Sequence, residues 1–121
     1  MLRYERAATC QEQGLAIVRE TGDRQTEGLI LANLADTCRE AGDPERALDL
    51  AQQSLAVCRE WKSQVGQAFG HRAAGNAAFA LRRPERARTH WQTALYLLER
   101  CPGLPLVSEL QALLDDGSKT P

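Results

Sequence analysis

The sequence predicts an all-α chain of stacked antiparallel helix pairs, a solenoid, and three observations carry that prediction. Apolar residues recur at helical spacing: Leu31, Leu34, Ala35 and Cys38 fall at i, i+3, i+4 and i+7, one stripe of a 3.6-residue period. The chain also matches itself at a shift of 40, which brings Glu5-Arg6-Ala7, Pro44-Glu45-Arg46-Ala47 and Pro84-Glu85-Arg86-Ala87 into register. Between 5–20 and 45–60, 8 of 16 positions are identical, and between 44–60 and 84–100, 6 of 17 are. Finally, breakers separate the stripes. In Gly42-Asp43-Pro44 the glycine accepts the left-handed conformation that ends a helix, the aspartate caps the next one, and the proline suits its first position. A period of this length is the mark of a solenoid, in which each unit buries its apolar face only against its neighbours.

The elements follow in order. Residues 4–20 match a second helix that has no first helix before it. A full pair follows over 24–61, its first helix ending near Ala41 and its second carrying Ala47, Ala51, Ser54, Leu55 and Cys58 on one face. The next pair, 64–100, repeats the design with Ala74, Gly75, Ala78 and Leu81, then Ala87, Trp91, Ala94, Leu95 and Leu98. Its turn is poorer, because Arg82-Arg83 replaces Gly42-Asp43, and loss of such a cap costs about 1 kcal/mol. Gly75 inside a helix costs about 1 kcal/mol relative to alanine, so close packing must justify it. Cys101-Pro102-Gly103 breaks the chain, Pro105 opens a short capping helix over 105–115, and 116–121 form a polar tail. The whole of 1–121 is one domain, about three quarters helical by this reading and without a strand.

Composition narrows the function. Apolar residues make up 43% and charged residues 26%, which excludes a disordered or collagen-like chain. Fifteen Lys+Arg against sixteen Asp+Glu leave a net charge of -1, which argues against direct nucleic-acid binding and against a polybasic membrane anchor. No apolar run is long enough to span a bilayer, and Met1-Leu2-Arg3-Tyr4-Glu5-Arg6 is charged where a secretion signal is apolar, so the expected location is the cytoplasm. Cys10, Cys38, Cys58 and Cys101 lack metal-knuckle or redox spacing and read as small buried hydrophobes. His71 and His90 belong to no ligand pair, and Asp115-Asp116 point about 100° apart on a helix, so they form no acid/base pair. The chain is not expected to be an enzyme, nor to hold a cofactor or metal.

Here the residues resemble a family. The spacing Leu34-Ala35, Gly42-Asp43, Ala47, Ser54, and again Ala74-Gly75, Ala87, Trp91, Ala94, is similar to the tetratricopeptide repeat. That family pairs Leu with Gly in its first helix, then places an Ala, a large residue and a further Ala in the second. Its usual unit is roughly 34 residues, and the 40-residue period resembles a longer-helix variant of bacterial regulators. Leu31, Cys38, His71, Ala74 and Ala78 occupy positions where the family has Trp, Leu and Tyr. The resemblance covers about residues 4–101 and implies a right-handed solenoid whose first helices line a concave surface that binds a peptide or protein segment.

On that surface the expected partner-binding residues are Asp36 and Arg39 from the first pair and Phe69, Arg72, Asn76 and Phe79 from the second, all off the core stripe, with Ala32 and Glu40 beside them. Two aromatics flanked by Arg and Asn suit an anchor-plus-polar surface, although Phe69 and Phe79 can equally pack on the neighbouring first helix. Arg72-Ala73-Ala74-Gly75-Asn76 also resembles the segment with which some relatives clamp a C-terminal carboxylate. The following unit supplies only Gln111, Ala112 and Leu113 where that clamp needs further cations and amides. Two other readings stand beside the binding module. The chain can be the C-terminal portion of a larger cytoplasmic regulator, or a self-associating homodimer joined through the half-unit at 4–20, whose Ile17 has no covering element.

Overall fold

The computed structural model describes residues 2–119, and helices account for nearly all of them: α1 (Leu2–Thr21), α2 (Arg24–Glu40), α3 (Pro44–Glu60), α4 (Gln64–Ala80), α5 (Pro84–Leu97) and α6 (Pro105–Lys119). Among the described residues there is no strand. Each helix packs on the next, and α2 also packs on α4, whereas α3 and α5 make no comparable contact. The stack is therefore closer on the side of the first helices, which makes α2 and α4 its inner face. The chain is an all-α solenoid of stacked helix pairs.

The turns repeat every 20 residues. Gly22 (φ 77°), Gly42 (φ 93°), Lys62 (φ 54°) and Arg82 (φ 63°) each take the left-handed conformation that closes a helix. In each turn the next amide reaches back to the helix: Asp23 N–H to Val18, Asp43 to Cys38, Ser63 to Cys58 and Arg83 to Ala78, all at 2.9 Å. The following residue caps the next helix at three of the four turns. The Asp23, Asp43 and Ser63 side chains accept from the Thr26, Arg46 and Gly66 amides, while Arg83 has no acceptor and caps nothing.

The stripes predicted from periodicity face inward. Leu31, Leu34, Ala35, Cys38, Ala47 and Ala51 join Leu15 and Leu50 in one core cluster, and Ala78, Ala87, Trp91, Ala94 and Leu98 join Leu106 and Leu110 in another. Gly75 is explained by close packing, since a methyl there would lie 2.6 Å from Trp91 Cδ1. The indole sits in the space that the missing side chain leaves, and its Nε1–H donates to Asn76 Oδ1 at 3.2 Å.

Several expectations need correction. Helix α5 ends at Leu97, because Pro102 has no N–H for the Leu98 carbonyl and the chain tightens, Cys101 N–H bonding that carbonyl at 2.8 Å instead. Helix α6 runs on to Lys119, through the segment read as a tail, since a polar sequence does not by itself end a helix. Helix content accordingly exceeds three quarters; Thr120 and Pro121 of the expected tail lie outside the described residues. Ala32 is buried, and Leu81 is only half-buried. All four cysteines are free thiols, but only Cys38 and Cys58 are buried, and Cys10 is exposed.

Candidate functional site

The inner face of α2 and α4 and the near side of α6 enclose a groove with Arg72 at its middle. Arg72 lies on α4 opposite the core stripe, and its guanidinium bridges three helices. One Nη donates to Asp36 Oδ2 on α2 at 3.1 Å and the other to Glu109 Oε2 on α6 at 2.9 Å. The same group lies over the Phe69 ring, 5.1 Å from its centroid, as a cation does over the electron-rich face of an aromatic. The Arg72 side chain is only 16% exposed, so these attractions are poorly screened by solvent. Burial raises the Asp36 carboxyl above its ordinary value, against the opposing pull of Arg72 and then Arg39.

A recess opens on either side of this bridge. One, of about 490 Å³, lies between α4 and the start of α6 and is lined by Val65, Phe69, Leu104, Pro105 and Leu106. The other, of about 400 Å³, lies toward the helix C-termini and is lined by Arg39, Asn76, Phe79, Trp91, Leu113 and Asp116. Phe79 is 42% exposed and rests against the Trp91 ring with centroids 5.8 Å apart. Arg39 approaches Glu40 at 3.7 Å. Three polar atoms at this face, Asp36 Oδ1, Arg39 Nε and Arg72 Nε, are buried without a hydrogen-bond partner in the protein.

The structure thus places all six residues singled out from sequence around one groove, but in different states. Asp36 and Arg72 bind each other. Phe69 is half-buried beneath Arg72, and Phe79 is open. Asn76 is committed to Trp91, because a buried indole N–H requires an acceptor. With Arg72 saturated by two carboxylates of its own chain and Asn76 taken by the indole, the carboxylate clamp suggested by that segment is not formed. Sequence reasoning missed Glu109, Val65 and Leu104–Leu106. Only Glu109 left a trace, as the position 40 residues beyond Phe69.

The first 60 residues, which span α1 to α3, match a family model described as Tetratricopeptide repeat. The chain belongs to the tetratricopeptide-repeat family. A comparison with curated proteins returns no match. The 40-residue register carries the tetratricopeptide-repeat pattern on from the matched pair into α4 and α5, where Trp91 supplies the large residue and Ala87 and Ala94 the small ones. Tetratricopeptide repeats generally mediate protein–protein interaction and are typically non-enzymatic. Among the described residues no helix is long and apolar enough to cross a membrane, and no group of three or more His, Cys, Asp or Glu is placed to hold a metal ion.

Proposed function

We propose that this chain is a protein-interaction module of the cytoplasm that takes a peptide or protein segment in the groove of α2, α4 and α6. The observation that carries the reading is the pair of apolar recesses on either side of the Arg72 bridge, each with an aromatic wall. Phe69 and Phe79 are the anchors, one at each recess. Asp36, Arg39 and Arg72 supply the polar surface between the anchors, and Asn76 holds Trp91 in place.

The test is selection from a random peptide library, followed by binding measurements on variants. Phe79→Ala and Phe69→Ala should each weaken a selected peptide by about tenfold, the scale of truncating an interface anchor. Glu45→Ala, exposed on α3, should leave it unchanged. Equal loss from Glu45→Ala would move the site off the groove.

A second reading, a homodimer through α1, draws support from Ile17, which is 60% exposed. Around it, however, Thr9, Gln13 and Glu20 are also exposed, which makes the face a poor apolar seam. Sedimentation at micromolar concentration separates the two readings. Placement at the end of a larger regulator is compatible with either, and the surrounding gene decides it.

A further inference from the structure

The 40-residue register places the groove between α1 and α3 on the groove between α3 and α5, and the two are built differently. In the first, Arg19 pairs with Glu27 at 3.1 Å and Arg46 with Glu12 at 2.7 Å, while Leu31 and Leu50 belong to the core. The equivalent residues of the second are Arg59 with Gln67, Arg86 with Gln52, and His71 and His90. Both arginines are kept, both carboxylates have become amides, and both leucines have become histidines. Arg59 and Arg86 are exposed, and among the described residues neither forms an ion pair.

The histidines meet. Their Nδ1 atoms lie 3.0 Å apart and their ring centroids 5.2 Å apart, with the planes tilted by 37°. One ring donates through Nδ1 and the other accepts, so the acceptor must carry its hydrogen on Nε2. His71 is 8% exposed, and the half-buried His90 gives the pair an outlet to solvent. After burial, the charges acting on the pair are positive: His90 when protonated and then Arg59 of α3 on His71, and Arg59 and then Arg86 of α5 on His90. Together with burial they hold both imidazoles below their ordinary protonation range.

We propose that the α3–α5 groove is an oxyanion site whose ligand is a phosphate group, held by Arg59, Arg86 and the His71–His90 pair. Two guanidiniums without carboxylate partners match a dianion in charge, and their planar forks match its several oxygens. A carboxylate can accept from two guanidiniums, as Glu27 does from Arg19 and Arg24, but its single charge leaves the second cation uncompensated. The neutral pair leaves one Nε2–H as a further donor, and a neighbouring phosphate opposes what keeps the rings neutral, which is burial first and then the positive charges. The site lies between the second helices α3 and α5 and over His71 of α4, and it shares no residue with the groove of α2, α4 and α6, so it stands independently of the peptide-binding reading.

His71 and His90 are the only two histidines of the chain, so their imidazole NMR signals report on the site directly. The full chain is titrated with inorganic phosphate at constant ionic strength, and in parallel with a short phosphoserine peptide and its unphosphorylated counterpart. Both imidazoles should shift saturably, and their titration midpoint should move up in saturating phosphate. Arg59→Gln and Arg86→Gln should each weaken binding by about tenfold or more, the scale of one charge-assisted hydrogen bond. Arg46→Gln, the counterpart in the first groove, should leave binding unchanged, and thermal melts confirm that each variant folds. Tighter binding of the phosphoserine peptide assigns the phosphate to a partner's modified side chain, and tighter binding of inorganic phosphate assigns it to a free ligand. Absence of saturation by roughly 100 mM, too weak for a recognition site, would overturn the proposal. So would a shift that persists in both arginine variants, which would leave the histidine pair as packing alone.

Discussion

Repairing the turn between α4 and α5 should stabilise the chain, and the size of the gain can be worked from the other turns. Arg82 holds φ 63°, where a side chain is crowded and glycine is not, at a cost of about 1 kcal/mol. Part of that is lost again when glycine loosens the unfolded chain, so Arg82→Gly should return about 0.5 kcal/mol. Arg83 stands where Asp43 accepts the Arg46 amide at 3.2 Å, and its own helix has no side-chain cap. Arg83→Asp should satisfy the Arg86 amide and place a negative charge at the helix N-terminus, for about 1 kcal/mol. The double variant should therefore gain about 1.5 kcal/mol, or roughly 6 °C in Tm for a domain of this size. Circular-dichroism melts of the parent, the two single variants and the double variant measure it, with Gly42→Arg as the reverse control that should lose about 0.5 kcal/mol, the glycine share alone. A double variant that melts at or below the parent would mean that this turn carries neither strain nor a missing cap, and so would a Gly42→Arg chain that melts unchanged. The aspartate's share should disappear as the pH falls through the carboxylate range, because a capping carboxylate acts only when ionised.

Other outcomes follow from single contacts. Gly75→Ala should destabilise by about 1–3 kcal/mol through overpacking against Trp91, seen as a lower melting temperature and a changed tryptophan emission. Glu27 is 3% exposed and receives Arg19 at 3.1 Å and Arg24 at 2.9 Å, so Glu27→Gln should cost about 1–3 kcal/mol and speed hydrogen exchange across α1. His71 is held at about 4, chiefly by burial and then by His90 and Arg59, against 6.5 when free. At pH values between these the unfolded chain binds a proton that the folded one refuses, so stability should be intact above pH 6.5 and fall as the pH drops toward 4. In phosphate-free buffer, melts at pH 7 and pH 5 should show that loss, and the His71→Leu/His90→Leu chain, which restores the leucine pair of the first unit, should show less of it.

What the sequence determined by itself is local. A helix stripe, a cap and a chain-breaking Gly or Pro each act within one or two turns. Hence the six helices and the inward faces of Leu34, Ala47, Ser54 and Trp91 were legible, and so was the missing cap at Arg83. Lys62 marks the edge of that legibility. It adopts the same left-handed turn as Gly42 with no glycine to announce it, because the stacking of α3 on α4 outweighs a cost of about 1 kcal/mol. Tertiary structure alone decided the partners. Arg72 reaches Glu109 across 37 positions and Asp36 across 36, and Asn76 is taken by an indole 15 residues away. His71 and His90, unremarkable at a separation of 19, come to 3.0 Å between facing helices. Such pairings depend on the angle and offset at which one helix lies on the next. Those are set by side-chain volumes summed over a whole interface, which no short stretch of sequence contains.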